Sequence, residues 1–329
     1  MSGLAYARAA SLESATEVIG SHRAAEVIAG GTDLLQRLEE HVLPPPLVVD
    51  INGVEGLRAI EVDDHEIRLG ALVRLNQVIE SAPVRDAFPA IVEALIVTAS
   101  PQVRNLATVG GNPLQKTRCL YFRDQSTPCN KREPGSGCGA LEGRNRINAI
   151  LGGSEHCIAT HPSDFAVAMA ALDATVLVVG ARGERRLPFT ELHRLPGDTP
   201  HLEHNLAPDE VIEGYRLTRT PLARHSHYLK VRDRGEFEWA ICSAAVALEL
   251  DHGGRIADAR VAVGGVATKP WRLGQVETAL QGRQATAEAF AEAAALSVQN
   301  AVAHGDNAYK LALLPRTIAR ALTELRERL

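Results

Sequence analysis

No stretch of the chain approaches the roughly 18 consecutive apolar residues of a membrane-spanning helix, so no membrane span is expected. The opening residues, Met1-Ser2-Gly3-Leu4-Ala5-Tyr6-Ala7-Arg8, lack a basic segment followed by an apolar one; no export signal of the chain's own is expected. Excess positive charge is missing too. The 35 Lys and Arg against 40 Asp and Glu leave a net charge of -5, which argues against nucleic acid or an anionic membrane as partner and favours a small substrate or a protein. Cysteine is sparse, with five in 329 residues, too few for a disulfide scaffold. Close C-x2-C pairs, the usual spacing of structural zinc sites, are absent.

What cysteine there is, is unevenly placed. Cys119, Cys129, Cys138 and Cys157 fall between Ala107 and Asp164 with spacing C-x9-C-x8-C-x18-C, among Pro113, Pro128, Pro134, Gly135, Gly137, Gly139 and Gly143. A loop this long and irregular inside a compact domain is usually functional or disordered, and four clustered thiols point to a bound inorganic centre. Iron-sulfur and zinc both accept four thiolates, so the residues alone leave both open. Lys116, Arg118, Arg123, Lys131, Arg132, Arg144 and Arg146 surround these ligands; they could lower thiol pKa values, offset the charge of a cluster, meet an acidic partner, or form a solvated basic loop. Cys242, in the apolar run Ala240–Val246, reads as a core residue.

Two glycine turns frame this insertion. Ala25–Ile28 reads as a strand, Gly30-Gly31 as a turn, and the following residues as a helix carrying Leu34, Leu35, Leu38 and Val42 on one face until Pro44-Pro45-Pro46 stops it. Thr108-Val109-Gly110-Gly111-Asn112 forms the second turn. Glycine lets a backbone approach a ligand closely, and two such turns suit a ligand with two phosphates and a ring; Thr32 and Asp33 read equally as a helix N-cap. Phe165–Leu172 reads as an apolar helix capped by Ser163 or Asp164. Strands over Thr175–Val179, Arg185–Phe189, His227–Val231, Ala240–Leu250 and Ala259–Val266 precede helical stretches at Thr286–His304 and Asn307–Leu329. The grammar is α+β, with a domain over 1–220 that contains an insertion at 113–159 and a sheet-plus-helices domain over 221–329.

Ala29–Leu34, Arg104-Asn105 with Ala107–Asn112, Thr160–Asp164, Tyr228–Arg234 and Val263–Arg272 together resemble the FAD-binding subunits of the xanthine dehydrogenase family of molybdenum hydroxylases. That resemblance implies a two-part FAD-binding domain of the PCMH type followed by a domain of the CO dehydrogenase flavoprotein C-terminal type. It implies FAD contacts from Val27, Ile28, Ala29, Gly30, Gly31, Thr32, Asp33 and Leu34, from Thr108, Val109, Gly110, Gly111 and Asn112, and from Asp164, Ile212 and Lys230. Lys230 would stabilise an anionic reduced flavin, and no general base is expected. The cysteine insertion is similar to that of flavin subunits in periplasmic aldehyde oxidoreductase and 4-hydroxybenzoyl-CoA reductase. In those relatives four cysteines hold a [4Fe-4S] cluster, which implies Cys119, Cys129, Cys138 and Cys157 as ligands here.

The implied assembly is a heterotrimer with a large molybdenum-cofactor subunit and a small subunit carrying two [2Fe-2S] clusters. Electrons would pass from the clusters to FAD and on to an external acceptor. Export with a signal-bearing partner would make the complex periplasmic; a cytoplasmic complex is the alternative. A CoA-thioester reductase subunit, a self-sufficient flavin oxidase and a non-catalytic module with a structural zinc loop are the other readings.

Overall fold

Twelve strands make three sheets in the computed structural model, which describes residues 4–22 and 24–329. Residues 1–3, part of the segment read for an export signal, lie outside the described residues. The first sheet is parallel. In it β3 (Leu47–Asp50) lies between β1 (Ala5–Arg8) and β2 (Glu26–Ile28), and β2 delivers the chain to the Gly30-Gly31 turn. The second sheet is antiparallel, in the order β4 (Ile60–Val62), β5 (Glu66–Gly70), β8 (Val211–Thr218), β6 (Thr175–Gly180), β7 (Gly183–Pro188). The third, also antiparallel, runs β12 (Trp271–Arg272), β11 (Ile256–Gly264), β10 (Cys242–Leu250), β9 (Ser226–Val231).

Alternation on β10 explains its unbroken apolar sequence. Ala245 and Ala247 belong to one core, shared with the helices Pro89–Ile96 and Asp164–Ala171, whereas Cys242, Ala244, Val246 and Leu248 face a second core under the carboxy-terminal helices. Successive side chains on a strand point to opposite faces, so a strand covered on both sides needs apolar residues throughout. Cys242 is fully enclosed, as its surroundings in the sequence suggest.

Several boundaries differ from the sequence reading. The helix after Gly31 spans only Leu34–Glu39, because His41 and Leu43 take left-handed backbone angles and Arg37 binds the carbonyls of Val42 and Leu43. Val42 therefore leaves the helix face and packs with the insertion. At the other end the expected helix Thr286–His304 is Ala287–Ala295 plus a 3-10 turn, Leu296–Val298. The last helix is Lys310–Arg326.

The insertion has almost no regular structure, yet it has a core. Cys119, Phe122, Cys129, Ala140, Cys157, Ile158 and Ala159 cluster with Val42, and an isolated antiparallel backbone pairing sets Cys129 opposite Cys138.

Candidate functional site

The two glycine turns abut. A Cβ built on Gly30 would lie 2.0 Å from the Leu106 carbonyl oxygen and 3.1 Å from the Ala107 Cα, so only a residue without a side chain lets the first turn reach the segment that feeds the second. Gly31 has φ +71°, a left-handed value that favours glycine. Among the described residues no acceptor within the chain meets the N–H groups of Gly30, Gly31 and Thr32. Unpaired backbone donors on a glycine turn form a concavity suited to phosphate oxygens. On the second turn Gly110 N donates to Ala71 O at 2.9 Å and Val109 N to Val73 O at 3.0 Å, which fixes it against the segment following β5.

Asn112 leads from this turn to Asp164. Ser163 Oγ donates to Asn112 Oδ1 and accepts from Ala166 N at 2.9 Å, so Ser163, and not Asp164, is the side-chain cap of the Asp164–Ala171 helix. That leaves the Asp164 carboxylate for other partners. Tyr228 and Lys230 share a face of β9, being two residues apart, and both reach it. Tyr228 OH donates to Oδ1 at 2.6 Å and Lys230 Nζ to Oδ2 at 2.8 Å, while Lys230 also donates to Val97 O at 3.0 Å. Thr98 Oγ1 lies 3.0 Å from Oδ2. The Lys230 and Asp164 side chains are only 3% and 2% exposed, so the expected flavin residues first serve each other as a buried ion pair. Ile212 lies on β8 opposite Val178, enclosed in the main core.

Asp33 has a different task from the expected helix cap, since its side chain makes no cap bond. Oδ1 accepts from Arg118 Nη1 at 2.7 Å and Arg123 Nη2 at 3.1 Å, and Oδ2 from Lys116 N at 3.0 Å. Burial alone would raise its pKa, but Arg118 and the Lys116 N–H hold the carboxyl below its ordinary value. The first glycine turn and the cysteine insertion are thereby tied together. Arg118 also lies 4.6 Å over the Trp239 ring, and Arg146 makes a bidentate pair with Asp233; the loop after β9 is tethered to the insertion at both ends. Nothing in the order of residues signals these contacts.

Cys119, Cys129, Cys138 and Cys157 line one cavity, with Lys131, Asn130 and Tyr121, and all are free thiols. Asn148 Nδ2 donates to the Cys119 sulfur at 3.5 Å and Ala159 N donates to that of Cys157 at 3.4 Å. Burial pushes the Cys157 thiol up to about 12, against the opposing pull of the Lys131 ammonium, and pushes Cys129 up as well, against that of Arg132. Among the described residues no group of three or more His, Cys, Asp or Glu is placed to hold a single metal ion.

A larger neighbouring cavity is lined by Pro113, Thr160, His161, His193, Glu203 and His204 together with Lys131 and Cys157. His161 Nε2 and His193 Nε2 lie 3.0 and 2.8 Å from the Pro113 carbonyl. A carbonyl only accepts, so both rings carry a proton on Nε2. Burial holds His161 and His204 down at about 4, against an ordinary 6.5, and pushes His193 well below that value. Because the folded values lie below the unfolded ones, the unfolded chain binds protons first as pH falls. The stability these groups contribute is complete above about 6.5 and is lost toward about 4. Chemical denaturation at about pH 5 should therefore find a loss of about 2 kcal/mol per histidine relative to about pH 7.5, and His204→Gln should recover about 2 kcal/mol of it. An unchanged acid loss in that variant would show that His204 protonates freely in the fold.

Comparison with known proteins agrees with this geometry. Residues 2–217 match the family of FAD binding domains in molybdopterin dehydrogenase, and residues 227–325 match the CO dehydrogenase flavoprotein C-terminal domain. The aldehyde oxidoreductase FAD-binding subunit PaoB of Escherichia coli is 44% identical over 92% of this chain and 92% of its own. A putative xanthine dehydrogenase FAD-binding subunit from the same species is 27% identical over 84% of this chain and 78% of its own. Carbon monoxide dehydrogenase from Hydrogenophaga pseudoflava, with a TM-score of 0.77, 24% identity and coverage of 99% of this chain and 98% of that one, shares the fold. The glycine turns, the PCMH-type and CO dehydrogenase-type parts and these likenesses converge: the chain belongs to the FAD-binding subunits of the molybdenum hydroxylases and is a subunit of an oxidoreductase.

Proposed function

We propose that the chain is the flavin and iron-sulfur electron-transfer subunit of a molybdenum-containing aldehyde oxidoreductase. The observation that carries the iron-sulfur part is the convergence of four cysteines, spread over positions 119 to 157, on one cavity beside the segment that follows the second glycine turn. A single zinc ion would need its sulfurs about 2.3 Å from a common centre, and no such compact group is found among the described residues. Four free thiols around a shared space, with N–H donors aimed at two of them, suit a larger polynuclear group. The aldehyde reading rests on the 44% identity to a subunit of an aldehyde oxidoreductase.

In this reading Val27 to Leu34 and Thr108 to Asn112 hold the FAD, the turn N–H groups meet its phosphates, and Asp164 with Lys230 fixes a positive charge beside it. Bound flavin supplies a two-electron carrier able to exchange electrons singly. The chain's own residues position it and keep its site rigid, which requires no general base. Large molybdenum-cofactor and small [2Fe-2S] subunits complete the assembly, an external acceptor takes the electrons, and export with a signal-bearing partner places it in the periplasm.

Iron, sulfide, zinc and flavin analysis of the chain purified anaerobically with its partners tests the proposal. About four irons and one FAD should be assigned to this subunit, and Cys138→Ser should lose the iron while retaining the flavin. Stoichiometric zinc without sulfide would overturn the iron-sulfur part, and absence of flavin would overturn the rest.

A further inference from the structure

The cations of the insertion are not equivalent. Arg118 and Arg123 share the Asp33 carboxylate, with Arg123 also meeting Glu40, and Arg146 is paired with Asp233. Arg132 spends its guanidinium on the carbonyls of Tyr121, Phe122, Asp124 and Thr127. Lys131 differs in place and in company. It lines the cavity of the four cysteines and also the neighbouring one, where Cys157 faces Pro113 and His161. Pro113 directly follows Asn112, so Lys131 stands on the side of the thiol cavity that faces the second glycine turn.

Its ammonium donates to Glu203 Oε1 at 2.9 Å and to Pro200 O at 3.0 Å, and Lys116 takes the other Glu203 oxygen. The side chains of Lys131 and Glu203 are 12% and 19% exposed. One carboxylate between two ammonium groups leaves one positive charge in excess. In a site largely closed to water that excess is weakly screened.

We propose that Lys131, held in place by Glu203 and Lys116, is a positioning charge that raises the reduction potential of the iron-sulfur group held by Cys119, Cys129, Cys138 and Cys157. This rests on the iron-sulfur reading above. Reduction adds one electron to the cluster, and a nearby fixed cation stabilises the more negative state. Local charge is one of the protein's means of setting such potentials, and the Lys131 ammonium, on the lining of the thiol cavity, supplies it.

The test is a redox titration of the purified complex followed by the electron paramagnetic resonance of this cluster, after iron and sulfide have been measured in each protein. Lys131→Met should shift the cluster potential to more negative values, Lys131→Arg should restore it, and Glu203→Gln, which removes the balancing anion, should shift it to more positive values. With iron and sulfide intact, an unchanged potential in Lys131→Met, or an equal shift in Lys131→Arg, overturns the inference. If Lys131→Met does not assemble a cluster, the sign in Glu203→Gln decides: a positive shift supports the inference and a null or negative one overturns it. Wild-type protein without iron and sulfide overturns the cluster reading itself, a result separate from an intact cluster with an indifferent potential.

Discussion

Replacing Gly30 by alanine should abolish flavin retention. The new methyl carbon would sit 2.0 Å from the Leu106 carbonyl oxygen and 2.7 Å from its carbon. That oxygen already accepts from the Arg74 guanidinium. Both obstacles are backbone, so the strain cannot be relieved by turning a side chain, and the two turns must separate. Overpacking of this kind destabilises by about 1–3 kcal/mol; the larger consequence is that the free N–H groups of the first turn are pushed away from the second turn and no longer face a ligand held between them. Gly274→Ala, at the start of the helix Gly274–Leu280 and outside the expected flavin residues, is the control, because nothing lies within 4 Å of its Cβ. Flavin content per chain, measured after gel filtration, should fall to near zero in the first variant and remain high in the second. Full flavin in Gly30→Ala would remove the first turn from the site.

Lys230→Met should destabilise the fold by about 3–5 kcal/mol, the range for stranding one member of a buried ion pair. Asp164 would keep the Tyr228 hydroxyl and its neighbour Thr98 but lose the Lys230 ammonium, while the Val97 carbonyl would lose a donor. Denaturant titration of flavin-depleted protein separates this structural role from any effect on bound flavin. In a double-mutant cycle, adding Asp164→Asn should cost much less in the Lys230→Met background than in the native one, because the two residues act as a unit. Additive losses would show that the pair contributes nothing as a pair.

Tyr228 and Lys230 were legible as neighbours on one strand face, since alternation follows from the strand itself. Their common partner was not, because Asp164 lies 66 residues from Lys230 and no local pattern marks the return. The same limit applies to Asp33. As a residue at the start of a helix it reads as a cap, but Arg118 and Arg123 compete for its carboxylate and win, being charged and held close by the insertion. For Val42, the helical period predicted a place on the face with Leu38. Left-handed residues His41 and Leu43 redirected it to the insertion core, and such angles are set by what the chain must meet rather than by propensity.

By itself the sequence determined the family, the α+β class, the positions of both glycine turns and the identity of the four clustered thiols. Glycine without a side chain and cysteine with its sulfur each carry their chemistry in residue type and spacing. Only the tertiary structure decided that the two turns touch, that the expected flavin residues Asp164 and Lys230 pair with each other, and that Arg118, Arg123 and Arg146 of the basic insertion are spent on Asp33, Glu40 and Asp233 while Lys116 and Lys131 share one carboxylate and leave an excess. Composition counts charges, but their energies depend on separation and on exclusion of water, and both are properties of the folded chain.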